Sequence, residues 1–335
     1  MQKILSVAEM REVDRLTTEK YGIPSFLLME NAAYAAACVI TERLGGSVAG
    51  KSFLIMCGKG NNGGDGAALG RILWQRGADV EVCYFGRVEE AKPDARANLE
   101  ILRKLSEQRF VDLSKPDISF EEFTQLEEWR EYVSANFHQD DPDVLVDALF
   151  GTGLTRALED EYREIVSYIQ AFNVEGIEQE VLVVALDLPS GLDADCAECI
   201  GENSKPHLTI AFTAPKPANV LPPASNCGGE LVTVDIGSPC ELVESQPSQL
   251  FLADEKDALH WLEQTRFASA SYKNKRGHAL LIAGSNNYAG AAVLSGNAAI
   301  RSGVGLVTIA TPESMQTAIA ARVLPEVMTR GVAET

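Results

Sequence analysis

Three glycine-rich loops carry the side chains that are best suited to chemistry. Each follows an apolar, strand-like run, and together they read GKGNNGGDG from Gly58 to Gly66, DALFGTGLTRAL from Asp147 to Leu158, and DLPSGLDAD from Asp187 to Asp195. In an open parallel sheet, ligands bind outside the carboxyl ends of the strands, where such loops gather. The pattern predicts one site built from all three loops, although each alone could be a tight turn or a helix cap.

The first loop contains a GxGxxG, at Gly58, Gly60 and Gly63, between a predicted strand and a predicted helix. An NAD site of the common type would add an acidic residue after the second strand, where this chain has Arg87. Asp65 also lies where a pyrophosphate would normally bind, and a carboxylate would repel it. No Lys followed by Ser or Thr closes the glycine run, which excludes a Walker loop.

Asn62, Asp147 and Ser190 offer hard oxygen ligands from the three loops. Such ligands suit an alkali or alkaline-earth cation better than zinc. The alternative is that these residues only cap helices. A serine-hydrolase triad is disfavoured because DLPSGLD is not a GxSxG elbow.

Cysteine usage predicts reduced thiols. The chain has seven cysteines, and only Cys196 and Cys199 form a CxxC. A zinc site would need two further soft ligands at metal-binding spacing, and none is evident. The CxxC is therefore interpreted as an ordinary loop.

The elements that must position these loops alternate between strands and helices. The predicted strands are Ser52 to Cys57, Asp79 to Phe85, Val144 to Asp147, Val181 to Asp187, Leu208 to Phe212 and Glu230 to Ile236. The predicted helices are Ser6 to Lys20, a second helix carrying LLMENAAYAAACVITERLGG, Asp65 to Arg76, Pro93 to Ser106, Glu121 to Asn136 and Leu158 to Phe172. Short apolar strands separated by helices predict an α/β fold with a parallel sheet covered on both faces.

The length of 335 residues favours two domains. After Ile236 a polar, proline-containing stretch predicts a linker, and a second alternation of strands and helices starts at Gly277.

The formal net charge of -19 disfavours nucleic acid and anionic membranes as partners, because both bind clustered Lys and Arg. No signal pattern and no membrane-spanning apolar run is evident, so we expect a cytoplasmic protein.

The motifs LLMENAAYAAA, GKGNNGGDG, DALFGTGL, DLPSGLDAD and TAPKPAN resemble the NAD(P)HX epimerase domain. The later stretch KNKRGHALLIAGSNNYAGAAVLSGNAAIRSGVGLVTIATPES resembles the opening of the ribokinase-like, ADP-dependent NAD(P)HX dehydratase. Together they resemble the bifunctional NAD(P)H-hydrate repair enzyme family. The resemblance implies a Rossmann-like three-layer α/β/α epimerase domain at 1–240, a linker and lead-in at 241–270, and an incomplete, truncated ribokinase-like segment at 271–335.

The resemblance implies epimerisation of the R and S forms of hydrated NADH and NADPH, beside one potassium ion. The implied potassium ligands are Asn62, Asp147 and Ser190, and the implied acid/base residues are Asp187 first and Lys216 second, with a surface lysine as the alternative for Lys216. The implied substrate contacts are Asn61, Asn62, Gly63, Gly64, Asp65, Gly151, Thr152, Gly153, Leu154, Thr155, Arg156, Ala157, Tyr162 and Asp187.

Inversion at C6 of the substrate's carbinolamine can proceed through loss of the hydroxyl to an iminium or through ring opening, and either route needs a proton carrier. ADP or ATP would be used only by a complete dehydratase domain, so we expect epimerase activity without independent dehydratase activity. The apolar N-terminal helices are compatible with a homodimer. The alternatives are a noncatalytic nucleotide-binding scaffold and, less favoured, a sugar or vitamin kinase.

Overall fold

The protein forms two compact units in a computed structural model that describes residues 1–108, 116–136, 141–172 and 181–334. The units are Met1–Leu252 and Ala253–Thr335.

The first unit contains a seven-stranded sheet and a small two-stranded one. Its strands are β1 Gln2–Lys3, β2 Ser52–Cys57, β3 Asp79–Phe85, β4 Ile118–Phe123, β5 Val144–Ala148, β6 Leu182–Leu186, β7 Leu208–Phe212, β8 Glu230–Val234 and β9 Phe251–Leu252. Its helices are α1 Val7–Tyr21, α2 Ser25–Arg43, α3 Asn61–Gln75, α4 Pro93–Glu107, α5 Leu126–Asn136, α6 Asp160–Ala171, α7 Pro217–Val220 and α8 Cys240–Glu244.

The large sheet is parallel throughout, in the order β4-β3-β2-β5-β6-β7-β8. Alternate residues of β2 face different cores: Phe53, Ile55 and Cys57 pack with residues of α2, α3 and α4, and Leu54 and Met56 pack with residues of α5 and α6. The sheet is therefore covered on both faces, which confirms the three-layer α/β/α prediction. The carboxyl ends of all seven strands lie along one edge.

The N-terminal helix begins where its sequence predicts. Ser6 Oγ accepts a hydrogen bond from the backbone N–H of Glu9 at 3.3 Å, and the Glu9 carboxylate accepts one from Ser6 N–H at 2.8 Å. This reciprocal capping box satisfies two amides at the start of α1, and Gly22 ends the helix with φ 70°.

The prediction of a helix over Glu121 to Asn136 was wrong in its first residues. Residues Ile118–Phe123 form β4, an edge strand paired only with β3, and α5 begins at Leu126. An edge strand is only half buried, so ISFEEF lacks the continuous apolar run of the central strands. The third helix also starts at Asn61, four residues before the predicted start, because the glycine-rich loop forms its first turn.

The boundary between the two compact units lies within the predicted linker at 241–270. Helix α8 buries Leu242 against Leu5 and Met10, and β9 pairs antiparallel with β1. Residues 241–252 therefore pack on the first unit. The assignment of functional domains to these ranges stays a prediction.

The second unit contains a three-stranded parallel sheet. Its elements are α9 Glu255–Gln264, β10 His278–Ile282, α10 Ala289–Arg301, β11 Leu306–Pro312, α11 Glu313–Ala320 and β12 Val327–Val332, with sheet order β10-β11-β12. Its core packs α10 and α11 on the sheet, through Ala292, Ile309 and Ile319 among others. This confirms a second α/β segment in the chain. Across the described ranges of both units, no helix combines the length and apolarity that a membrane span requires.

Candidate functional site

The first two glycine-rich loops meet backbone to backbone at the end of β2. A Cβ on Gly58 would lie 2.0 Å from the carbonyl oxygen of Leu149, and one on Gly63 would lie 1.8 Å from the carbonyl oxygen of Gly58. Neither distance is compatible with a side chain. Gly58 is therefore required by close packing between the first two loops, and Gly63 by close packing within the first loop, in addition to any role in binding a ligand.

Asn62 connects the first loop to the second. It is 6% exposed, and its Nδ2 donates a hydrogen bond to the carbonyl oxygen of Phe150 at 2.9 Å. Its other amide atom, Oδ1, is buried and has no hydrogen-bond partner within the described part of the chain. A buried acceptor without a donor is costly, so this oxygen is suited to a ligand that contributes positive charge or a proton.

Asp147 and Ser190 join the second loop to the third. Both are fully buried. The Asp147 carboxylate accepts hydrogen bonds from Ser190 Oγ at 2.6 Å and from Ser190 N–H at 2.8 Å. Ser190 Oγ in turn accepts one from the Phe150 N–H at 3.0 Å. Burial raises the pKa of Asp147, and the hydrogen bonds from Ser190 oppose that rise.

The three predicted cation ligands are therefore brought together around Phe150, a residue that sequence reasoning missed because it contributes only its backbone. The amide, carboxylate and hydroxyl oxygens form a hard donor set, and a buried carboxylate held by neutral donors leaves a negative charge to compensate. These residues fit an alkali cation such as potassium.

Asp187 and Lys216 form an ion pair at the ends of the neighbouring strands β6 and β7. Lys216 is 1% exposed, so the alternative of a surface lysine was wrong. Its Nζ donates a hydrogen bond to Asp187 Oδ1 and another to the carbonyl oxygen of Phe212 at 3.2 Å. Asn219, which the sequence analysis missed, accepts from Lys216 N–H at 2.8 Å and donates to the Asp187 carbonyl at 3.4 Å.

The two strands that carry this pair end in the same tight reversal of the backbone. Asp187 has φ 64° and Thr213 has φ 63°, backbone conformations that residues other than glycine rarely adopt. Hydrogen bonds from Leu188 N–H to Leu186 and from Ala214 N–H to Phe212, both 2.7 Å long, close each turn. Such strain costs about 1 to 3 kcal/mol per residue and is concentrated at functional sites in proteins.

Gly151 brings the second loop to this ion pair. A Cβ at Gly151 would lie 3.2 Å from Asp187 Oδ2 and 3.6 Å from Asn62 Cβ. The three loops therefore converge on Asn62, Gly151 and Asp187. Asp187 Oδ2, the carboxylate oxygen not bonded to Lys216, faces the space beside Gly151.

Two further carboxylates act electrostatically on the pair. Burial raises the pKa of Asp65 well above its usual value, with the charges of Asp187 and Asp14 adding to the rise and Lys216 opposing it. The pKa of Asp14 is raised to about 6, mainly because the surrounding protein restricts hydration of its carboxyl group, although the residue is accessible to solvent. Asp14 lies on α1, where nothing in the sequence distinguishes it from a surface carboxylate.

The remaining predicted contacts are more open. Asn61, Gly153, Thr155, Arg156 and Ala157 are exposed, and Thr152 and Leu154 are partly exposed. Gly64 is buried, and a Cβ there would meet Ala95 at 2.7 Å.

Tyr162 packs its ring edge-on against Phe150, with 4.8 Å between centroids. It also lines an open recess at the carboxyl ends of β3 and β4, together with Lys59, Gly86 and Trp129. This recess and the ion pair lie along the same edge of the sheet.

Comparison with known proteins matches the chain to two families and to several relatives. Residues 25–218 match the family described as YjeF-related protein N-terminus, and residues 279–335 match a second family, described as NAD(P)H-hydrate dehydratase. The chain is 35% identical over 332 residues to the bifunctional NAD(P)H-hydrate repair enzyme of Moorella thermoacetica, covering 99% of this chain and 58% of that protein. The corresponding enzyme of Thermofilum pendens is 34% identical, with 99% and 57% covered. The chain thus spans less than two thirds of the length of these curated relatives.

A relative of single-domain length is the NAD(P)H-hydrate epimerase of Weissella koreensis, 30% identical over 249 residues, which cover 74% of this chain and 98% of that protein. Among solved structures, the crystal structure of yeast ynu0 matches with a TM-score of 0.55 at 22% identity, covering 76% of this chain and 98% of the yeast chain. That structural likeness shows a shared fold. With the family match spanning more than half of its residues, the chain belongs to the YjeF-related N-terminal family.

Proposed function

We propose that the first unit is an NAD(P)H-hydrate epimerase that interconverts the R and S forms of hydrated NADH and NADPH. The observation that carries the proposal is the ion pair between buried Lys216 and partly exposed Asp187, which lies where the three glycine-rich loops converge. Membership of the family and the Weissella koreensis relative named NAD(P)H-hydrate epimerase support the same reaction.

Asp187 is the proposed proton carrier. On the iminium route to inversion at C6, the hydroxyl leaves as water and a water adds to the opposite face, so the same group gives a proton in one step and recovers it in the other. Asp187 Oδ2 faces the open space beside Gly151, and Oδ1 is held by Lys216. Lys216 therefore orients the carboxyl group.

Both routes of inversion, through an iminium ion and through ring opening, are compatible with Asp187 as the proton carrier. The pKa of Asp65 is raised well above its usual value and that of Asp14 to about 6, so the charge on both carboxyl groups depends on pH. The charges around the Asp187–Lys216 pair therefore do not by themselves select one route.

Potassium is the proposed resident ion, with Asn62, Asp147 and Ser190 as its protein ligands. The bound ion would compensate the buried Asp147 charge and hold the first and third loops at a fixed distance from each other. The proposal concerns the first unit alone, and we assign no separate activity to residues 279–335.

A time course of the two NADPHX epimers, separated chromatographically, tests the proposal. We expect wild-type protein to accelerate their interconversion and Asp187→Ala to lose the acceleration, while Asp193→Asn, in the same loop, retains it. Binding of the hydrate without acceleration over the spontaneous rate would instead establish the noncatalytic scaffold.

A further inference from the structure

The CxxC motif is not the thiol pair that the fold creates. Cys199 Sγ lies 3.3 Å from Cys227 Sγ, although 28 positions separate them in the chain. Cys196 Sγ instead accepts a hydrogen bond from the backbone N–H of Glu198 at 3.4 Å, within its own turn. The close pair therefore joins two different loops.

These loops are the ones that carry the candidate catalytic residues. Cys199 lies in the loop that starts at Asp187, and Cys227 lies in the loop that contains Lys216. Backbone hydrogen bonds already join them, from Ala218 N–H to the Ala194 carbonyl at 3.0 Å and from Ala224 N–H to the Ala197 carbonyl at 2.8 Å.

A small apolar cluster lies beneath the two loops, made of Leu188, Leu192, Ala194, Ala218 and Ala224, with Cys227 packed against it. Bringing the two sulfur atoms from 3.3 Å to the bond length of about 2.05 Å requires only a small shift in loops that are already in contact. The described residues hold no group of three or more His, Cys, Asp or Glu side chains that could bind a metal, so a metal does not account for the pair.

We propose that Cys199 and Cys227 are a redox-modification site, which forms a reversible intramolecular disulfide by exchange with a low-molecular-weight disulfide. The Cys199 thiolate attacks the small disulfide, forming a mixed disulfide and releasing one small thiolate. The Cys227 thiolate then attacks Cys199 Sγ and releases the second. Two protein thiols are oxidised, and one small disulfide is reduced to two thiols that take up the protons lost by the cysteines.

Accessibility sets the order of these steps. Cys199 is exposed and Cys227 is partly buried, so the small disulfide reaches Cys199 first. Partial burial, with the neighbouring Cys227 thiol adding to the effect, raises the pKa of Cys199 to about 11. Because the thiolate is the nucleophile, oxidation is slow near neutral pH and accelerates as pH rises.

The bond would fasten the Asp187 loop to the Lys216 loop. We expect oxidation to raise the thermal midpoint of the first unit by about 5 °C or more, because the disulfide closes the segment between Cys199 and Cys227 into a loop in the unfolded state. Amide hydrogen exchange should slow in residues 188–199 and 217–227. These readouts do not depend on the proposed epimerase activity.

The test uses the full chain equilibrated with oxidised glutathione at pH 7 and pH 9 and then cleaved after glutamate without reduction. Cleavage at Glu198, Glu202 and Glu230 places Cys196, Cys199 and Cys227 on three different peptides. We expect the Cys199 and Cys227 peptides to be joined, faster at pH 9, and to separate on addition of reduced glutathione.

Cys196→Ser is the matched control and should leave the joined peptides intact, whereas Cys199→Ser and Cys227→Ser should each abolish them. A bond from Cys199 to Cys196, a bond between two copies of the chain, or accumulation of glutathione adducts without the joined peptides would overturn the proposal. Joined peptides with unchanged hydrogen exchange would overturn the fastening of the loops.

Discussion

Lys216 donates a hydrogen bond to Asp187 from the end of the neighbouring strand, and this contact pairs a buried ammonium group with a partly exposed carboxylate 29 positions away in the chain. Lys216 is 1% exposed and also donates to the Phe212 carbonyl, so its ammonium group is held entirely by protein. A substitution in this pair affects both the stability of the fold and the chemistry of the site, and the two effects can be separated experimentally.

Replacing Lys216 with methionine should lower both the epimerisation rate and the stability of the fold. We expect the epimerisation rate to fall about 100-fold or more, because Asp187 loses the group that orients it. Stability should fall by about 3 kcal/mol, because the Asp187 carboxylate loses its charge partner. The rate is measured on the separated epimers and the stability by urea unfolding.

The double variant Asp187→Asn/Lys216→Met is the control for a purely structural role. It removes both charges, so unfolding should show stability regained relative to Lys216→Met while the rate stays low. Recovery of the rate in the double variant would contradict the assignment of the pair to the chemistry.

Asn62 should be required for thermal stabilisation by potassium, whereas its neighbour Asn61 should not. Binding of an ion to the folded state alone raises stability by about 1.4 kcal/mol at ten times its dissociation constant. We expect the wild-type thermal midpoint to rise in potassium chloride relative to choline chloride of equal ionic strength, and Asn62→Ala to lose that rise. Asn61 is exposed, and Asn61→Ala should keep it. Equal responses of the two variants would exclude Asn62 as a ligand.

The sequence was sufficient to predict the central strands and the loops that follow them. The bounds predicted for β2, β3 and β7 are those observed, because these strands are mostly buried and consist largely of apolar residues. The edge strand β4 lacks that signal and was missed. All three glycine-rich loops converge as predicted, because a parallel sheet aligns the carboxyl ends of its strands.

The contacts that complete the site depended on information that a single sequence does not contain. Phe150 contributes its backbone, which any residue could provide. Asp14 acts on the site electrostatically from α1. Cys199 and Cys227 are neighbours because β6, β7 and β8 are adjacent in the sheet, which the sequence alone does not show. The sequence shows which residue types follow each strand, whereas contacts between residues of different loops depend on the order of the strands in the sheet.

Asp65 should make stability depend on pH. Burial raises its pKa in the folded state above the unfolded value, so its stabilising contribution is present at low pH and is lost as pH rises through the raised pKa. Asparagine does not titrate, so the thermal midpoint of Asp65→Asn minus that of the wild type should increase from pH 5 to pH 8. Asp141→Asn, which changes an exposed carboxylate, should show no such increase. A difference that shrinks with pH would contradict the raised pKa.

Gly63 and Gly60 lie three residues apart in the first loop, and replacing each with alanine should cost very different amounts of stability. A Cβ at Gly63 would lie 1.8 Å from the Gly58 carbonyl oxygen, whereas one at Gly60 has no neighbour within 4 Å. Gly63→Ala must displace the backbone of Gly58 within the first loop, so we expect a loss of about 3 kcal/mol or more. Gly60→Ala should cost less than about 1 kcal/mol, as expected for a changed helix N-cap. Urea unfolding of both variants measures the difference, and similar losses at the two positions would show that Gly63 does not pack against the Gly58 carbonyl as the structure has it.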